Sequence, residues 1–418
     1  MATDRVPLAP DTIAVGVDLS SVGHQAVIVA SDGRRLTSFR VAHSREGLGE
    51  LIRRADPQRW QARRVVIAFE ATGHLWEAVA HVLTEHRVEY VLVNPLATFR
   101  VREARQMGRD KRDITDAEQI AHLLRTGVVT RTQLETGPYL TLRRAWSAFA
   151  RLREERARLK TLVTHQLYGA FPELIGVWRD IFAPGPLAVL RVGLTPFEIA
   201  ELPVTEFWQR VDAMRAGRRL WRFKVKQVHA HAQQTVALPA GGAAMMREIQ
   251  CIVARADLLM AQMSQLEAEI RVMLDQLEET SYLRTMPGVG WTTMAGLLAE
   301  IGSIGKFTHG RQLVKLAGLN PSRHESGTLQ GRSRISRRGR AGLRTVAYLA
   351  TLAGLQHNPR LRAHYDRLRQ RAVRPLATIP AMGACMTKWL LYVFAVMKRK
   401  QAFDVDHTWR PDAMPAGT

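Results

Sequence analysis

The sequence predicts an α/β domain at the front, a long helical middle, and a mostly α-helical, basic domain at the back. Three observations carry that reading. Short Val- and Ile-rich runs alternate with helix-period segments as far as Gly127, which calls for a sheet with a parallel portion. Apolar residues then recur at spacings of three and four along two long segments. The formal net charge is +22, and residues 281–400 carry 21 basic against 3 acidic residues, net +18. At 418 residues the chain exceeds one ordinary core and calls for two or three domains.

The elements follow in order. Thr12–Val17, His24–Ala30 and Arg35–Val41 read as three antiparallel strands of a meander, with Ser31, Asp32 and Gly33 as a turn. Arg45–Ala55 has helical period, and Val65–Phe69 (VVIAF) reads as a buried strand. His74–His86 is helical, Glu89–Val93 is a strand closed by Asn94 and Pro95, and Asp113–Arg125 is a helix. In the middle, Leu142, Ala145, Phe149, Leu152, Leu159 and Val163 keep the helical spacing, with Arg156 interrupting one slot. Ile249, Ile252, Ala256, Leu259, Met263, Leu266, Ile270, Met273 and Leu277 then hold an a/d register. That period suits equally a hairpin folded on itself and a coiled-coil oligomerisation stalk. Residues 174–245, with several Pro and Trp, read as an irregular helical insertion without chemistry of its own. The expected divisions are 1–135, 136–280, 281–400 and a flexible tail at 401–418.

Composition excludes several classes. With 46% hydrophobic and 23% charged residues, wholesale disorder is not expected. No stretch approaches the roughly 20 uninterrupted apolar residues of a membrane helix, and with no basic amphipathic helix or lipidation signal beside the charge, no membrane partner is expected. MATDRVPLAPDTIAV lacks a basic-then-apolar signal. Two cysteines, Cys251 and Cys385, exclude a disulfide framework and a cysteine-rich zinc site and point to a reducing cytoplasm. A basic field confined to one folded segment points to a polyanion, foremost nucleic acid.

Asp18 ends the first strand (GVDLS), Glu70 ends the fourth (AFEATG), and Asp113 with Asp116 opens a helix (RDITDA). Residues i and i+3 share a helix face, and clustered carboxylates repel unless cations neutralise them. Two Mg²⁺ would suit such a set and would support phosphoryl transfer. Each acid also has a plain reading: a helix cap for the DxxD pair, a surface acid for Glu70. GVDLS before a hairpin also begins the actin-like ATPase fold, but no Gly-rich phosphate loop follows Gly73. Further on, Pro287, Gly288 and Gly290 (MPGVG) join two helical stretches like a helix-hairpin-helix, whose amides can hold a phosphate; the plain reading is a tight turn. Ser326 precedes Gly327 among Arg323, Arg332, Arg334, Arg337, Arg338, Arg340 and Arg344. Arginines can clamp a phosphate under attack by a serine, although composition alone favours a plain loop serine. Ser333 and Ser336 are rivals; Ser336 reads as the N-cap of the next helix.

Together these motifs resemble the DEDD insertion-sequence transposases (the insertion-sequence 110 family), to which the Piv DNA invertase is related. GVDLS, FEATG and RDITDA match the family's front acids; MPGVG, GLNP, SG and ISRRG followed by LR match its rear domain. Arg112 stands where the family usually has Thr, and the middle region is longer than in compact members. The resemblance implies a RuvC-like (ribonuclease H-like) front domain, a coiled-coil middle and a transposase domain at the back. It also implies Mg²⁺ on Asp18, Glu70, Asp113 and Asp116, and Ser326 as a catalytic nucleophile forming a phosphoserine link to DNA. A composite site in a tetramer and guidance by an element-encoded bridge RNA complete the expectation. Two alternatives remain. One is a RuvC-like nuclease of the junction-resolvase type, using metal-bound water. The other is a non-catalytic nucleic-acid-binding protein with an actin-like front domain.

Overall fold

The computed structural model describes residues 8–9, 11–70, 75–93, 98, 113–127, 137–215, 217–322 and 334–406. Its front part is a five-stranded sheet of β1 (Thr12–Asp18), β2 (His24–Val29), β3 (Arg35–Val41), β4 (Arg64–Glu70) and β5 (Tyr90–Val93). The strand order is β3-β2-β1-β4-β5. β1 to β3 form an antiparallel meander, and β4 and β5 continue from β1 in parallel. Helix α1 (Arg45–Arg54) starts at Ser44, whose hydroxyl accepts from the Gly47 amide at 3.1 Å.

The central strands are buried on both faces, so their sequences run apolar without alternation. Ile13, Val15, Val17, Ile67 and Phe69 pack with α1 and α2 (Leu75–Glu85). Ala14, Val66 and Ala68 pack on the other face with Ala117, Ile120, Ala121 and Leu124 of α3 (Asp113–Arg125). Gly16 is the point of closest approach. A β-carbon there would lie 2.0 Å from the Ala117 carbonyl oxygen and 2.5 Å from the Ala121 nitrogen. At the far end of α3, the Leu8 amide donates to the Arg125 carbonyl at 3.4 Å, so α3 runs antiparallel to β1.

The middle is a hairpin of two long helices with a helical excursion between them. In chain order these are α4 (Pro138–Ala170), α5 (Leu174–Val177), α6 (Pro184–Val192), α7 (Pro196–Glu201), α8 (Val204–Ala213), α9 (Arg222–Ala232) and α10 (Gly242–Asp275). Gln166 donates to Glu248 at 2.9 Å, and Glu155 meets Arg255 at 3.7 Å, so α4 and α10 run antiparallel. The heptad residues Ile249, Ile252, Ala256, Leu259 and Ile270 are buried within the chain itself, while Met263 and Leu266 are half-buried. Of the two uses open to the register, the structure shows the self-folded hairpin. The insertion corrects an expectation: it is compact rather than irregular. Phe171, Phe182, Leu190, Phe207, Val225 and Val228 form one core with Leu159, Val163, Ile249 and Val253 of the long helices. Arg191 ties α6 to α10 through two bonds to Asp257, at 2.6 and 3.0 Å.

The back part comprises α11 (Glu278–Leu283), α12 (Trp291–Ile301), α13 (Gly310–Leu316), a two-stranded ribbon of β6 (Pro321–Ser322) and β7 (Arg334–Ile335), then α14 (Ala341–His357), α15 (Pro359–Arg369) and α16 (Thr378–Arg399). Its core also takes in Leu142, Trp146 and Phe149 of α4 and Ile270 and Leu274 of α10. The long helices therefore root in one core and end in another. Two expectations are corrected here. Helix α16, at 22 residues, is long and apolar enough by length and composition to cross a membrane. It is nonetheless built into the core through Cys385, Trp389, Leu390, Val393 and Val396, with Lys388 at mid-length. The tail is not loose from residue 401: Phe403 is 7% exposed, its ring meets that of Tyr392 at a 60° tilt with centroids 5.5 Å apart, and its amide donates to Thr285 Oγ1 at 2.7 Å.

Candidate active site

Two adjacent strands set the first pair of acids. The register pairs Val17 with Phe69, so the next residues, Asp18 and Glu70, stand side by side at the C-terminal ends of parallel β1 and β4. Neighbouring strands lie about 4.8 Å apart. Alternation turns both side chains away from Val17 and Phe69, to the face where α3 crosses. Asp116 precedes Ala117, the residue over Gly16, and is 6% exposed. The Asp113 backbone opens α3 one turn earlier, so the helix brings its N-terminus to the strand ends. A helix N-terminus favours negative charge, which offsets part of the repulsion among these carboxylates.

The donors are all carboxylate oxygens, the hard chemistry of Mg²⁺ or Mn²⁺ and a poor set for soft metals. Among the described residues, no group of three or more His, Cys, Asp or Glu side chains closes to metal-binding spacing. The Asp113 side chain lies outside the described residues, as do Ser326, Arg323, Arg332, Ser333 and the Arg334 side chain. What the structure does place is the ribbon that leads into and out of the serine segment, with Pro321 opposite Ile335 and Ser322 opposite Arg334.

The candidate phosphate-binding residues divide by what they already hold. Gly288 sits at φ +82°, and a β-carbon on it would reach the Ala353 carbonyl carbon at 3.0 Å, so it packs against α14. Gly290 is the open end of the turn: it precedes α12 in extended backbone, is exposed, and would tolerate a β-carbon without contact. Pro287, just before Gly288, is half-buried. Arg340 donates to the Glu300 carbonyl, and Arg344 to the Ala317 carbonyl at 3.0 Å. With Arg143, which donates to the Ala299 carbonyl at 2.9 Å, Arg340 satisfies the C-terminal end of α12. The Glu300 carboxyl lies against Gly342, and burial raises its pKa despite Arg143. Arg337 and Arg338 are exposed, with Arg337 at φ +52° and its amide donating to the Gly318 carbonyl at 2.9 Å. Ser336 corrects an expectation. The N-cap of α14 is Arg340, and Ser336 instead donates to Asn320 Oδ1 at 2.7 Å, stapling the ribbon.

A further basic cluster escapes a motif search. Arg360, His364 and Arg367 fall at helical spacing on α15, with Arg371 just beyond and Lys388 facing from α16. Burial lowers the Lys388 pKa, with Arg360 and Arg367 adding to the effect. Burial also lowers that of His364, with Lys388, Arg367 and Arg371 adding. The only signal in the sequence is the three-and-four spacing of the basic residues.

Comparison with known proteins gives matches at both ends of the chain. A family model described as a transposase matches residues 15–172, the span that holds all four acids. A second, described as the transposase IS116/IS110/IS902 family, matches residues 280–366. The protein assigned as transposase of the IS117 mini-circle of Streptomyces coelicolor is 25% identical over 415 residues, 96% of this chain and 97% of that protein. A 44.8 kDa protein of insertion element IS116 from Streptomyces clavuligerus is 26% identical, covering 86% of this chain and 88% of its own. The pilin gene-inverting protein of Moraxella lacunata is 29% identical over 147 residues, 34% of this chain and 45% of that one. With both models matched in order and a relative aligned almost end to end, the chain belongs to the IS110 family of transposases.

Proposed function

We propose that this transposase cuts and rejoins DNA at element ends and target through Ser326, with Mg²⁺ held by Asp18, Glu70, Asp113 and Asp116. The observation that carries the proposal is the pairing of Asp18 and Glu70 on adjacent strand ends beneath the helix that bears Asp116. The β3-β2-β1-β4-β5 order, a meander continued by parallel strands, supports reading the front domain as RuvC-like. Mg²⁺ bound by these carboxylates would supply positive charge to a phosphate and lower the pKa of a hydroxyl beside it. The Ser326 hydroxyl loses its proton and attacks a DNA phosphorus, and the 3′ oxygen leaves and takes up a proton. The phosphoserine bond conserves the energy of the broken phosphodiester, so rejoining needs no ATP. Arg337 and Arg338, exposed beside the ribbon, hold the DNA backbone. An inverting protein among the relatives supports strand exchange over simple hydrolysis. In the same reading, an element-encoded bridge RNA selects the DNA, and a tetramer brings the carboxylates of one copy to the serine of another.

The test is a denaturing gel of the protein with labelled target DNA, guide RNA and Mg²⁺. A slow band is expected for the natural chain and for Ser336→Ala, and none for Ser326→Ala. Cleavage without any covalent band would replace the serine by metal-bound water.

A further inference from the structure

Averaged over residues 131–280 the chain is only slightly basic, but the average hides a cluster. Between Asp212 and Glu248 there are seven Lys or Arg and no Asp or Glu. The structure ties the densest part, the turn from α8 into α9, to the long hairpin at Asp257, mid-length along α10. Arg191 pins this turn: while it holds Asp257 of α10, its Nη1 donates to the Met214 carbonyl at 3.2 Å.

Not all of this charge is available. Arg215 meets Asp212 at 3.4 Å, and Lys224 donates to the Val177 carbonyl at 2.6 Å. Arg218, Arg219, Arg222 and Lys226 are exposed. Among them stand two aromatic rings that a soluble surface would ordinarily bury, Trp221 at 60% and Phe223 at 53% exposure. The rings meet edge to face, with centroids 5.9 Å apart at 80°. The Arg219 guanidinium lies 5.7 Å from the Trp221 ring, and that of Arg222 5.4 Å from the Trp208 ring. The first turn of α9 has no acid, and Arg222 and Lys224 stand there against the helix dipole.

Two exposed rings in a field of arginines fit bases that are free to stack and phosphates that follow them. A closed duplex offers phosphates but no open base face. We propose that this turn binds an unpaired polynucleotide segment, with Trp221 and Phe223 stacking on bases and Arg218, Arg219, Arg222 and Lys226 holding the phosphates. The proposal rests on the chain acting on nucleic acid, but not on Ser326 or the carboxylates.

The experiment uses the full chain without Mg²⁺. It measures fluorescence anisotropy of labelled single-stranded RNA, single-stranded DNA and duplex DNA of equal length. Trp221→Ala with Phe223→Ala should weaken single-strand binding by about 10- to 100-fold, the range expected for losing aromatic stacking. Duplex binding, carried by residues 281–400, should change less than about twofold, which separates this proposal from the nucleic-acid reading as a whole. Trp221→Phe should retain most of the affinity, and melting should be unchanged because both rings are exposed. Loss on RNA alone names RNA as the occupant, loss on DNA alone names an opened DNA strand, and either supports the stacking platform. Equal loss on duplex and single strands, no loss on single strands, or loss of binding to anionic phosphatidylserine vesicles in their place would overturn it.

Discussion

Gly16→Ala tests the geometry on which the candidate site depends. The added β-carbon would lie 2.0 Å from the Ala117 carbonyl oxygen, where ordinary contact begins at 3.4 Å, so α3 must retreat by about 1.4 Å. The obstacle is helix backbone, which cannot rotate aside. Overpacking of this kind costs about 1–3 kcal/mol, and the entropy recovered by removing a strand glycine returns only about 0.5–1. A net loss of about 1 kcal/mol should lower the melting temperature by about 2–4 °C. The effect on chemistry should be larger. A 1 Å misplacement near reacting groups can cost about a hundredfold, and the retreat carries Asp116 away from Asp18 and Glu70. The assay pairs calorimetry with the rate of covalent adduct formation. Gly49→Ala is the control: its β-carbon would meet only the Arg53 guanidinium, at 3.5 Å, and alanine within α1 should stabilise by up to about 1 kcal/mol. A Gly16→Ala protein that melts and reacts like the natural one would refute the crossing of α3 over β1.

His24 is fully buried, and burial together with His43 holds its pKa at about 4. The unfolded chain therefore takes up a proton near pH 6.5 that the folded chain refuses, and stability should fall between pH 6.5 and 4, by at most about 3 kcal/mol. His24→Gln should flatten the melting temperature over that window; an unchanged slope would assign the acid sensitivity elsewhere. Cys385 is buried with its thiol pushed up to about 11, whereas Cys251 is exposed. A thiol reagent should modify one cysteine in the native protein and two in denaturant, and two fast reactions in the native state would contradict the packing of α16. Arg337→Ala with Arg338→Ala should lower the salt slope of duplex binding by about 0.9 for each phosphate no longer neutralised, with little change in melting. Arg340→Ala should instead lower the melting temperature, since Arg340 holds the Glu300 carbonyl; the reverse pattern would exchange their roles.

The front sheet was legible because its strands are short, β-branched and apolar, and because the alternation with helices permits few topologies. Asp18 and Glu70 could be read at strand ends, but not their adjacency, which needs the β1–β4 register. The DxxD helix was visible; its docking over Gly16 was not, because a strand glycine has several uses. The middle was legible as helices and not as a partnership. A 3.5-residue period says only that an apolar stripe is covered, and the covering surface turned out to be α4 of the same chain. Ser336 misleads because a serine near a helix start is a common cap, whereas here four residues and a staple to Asn320 intervene. Arg340 and Arg344 misleadingly resemble their neighbours, since composition cannot tell a guanidinium spent on a carbonyl from one facing solvent.

The rooted hairpin makes distance an independently adjustable quantity. Between the two cores, residues 150–155 of α4 and 257–262 of α10 add no buried side chain to either cluster, and the Arg191–Asp257 pair and Met260 tie this stretch to the excursion. Each residue of helix contributes about 1.5 Å, so removing seven from both arms would draw the outer core in by about 10 Å and restore the same faces to contact. Unequal removal would rotate the outer end instead. Relatives can therefore diverge in span by paired insertions or deletions without redesigning either core, and the arm acts as a ruler whose graduations are heptads.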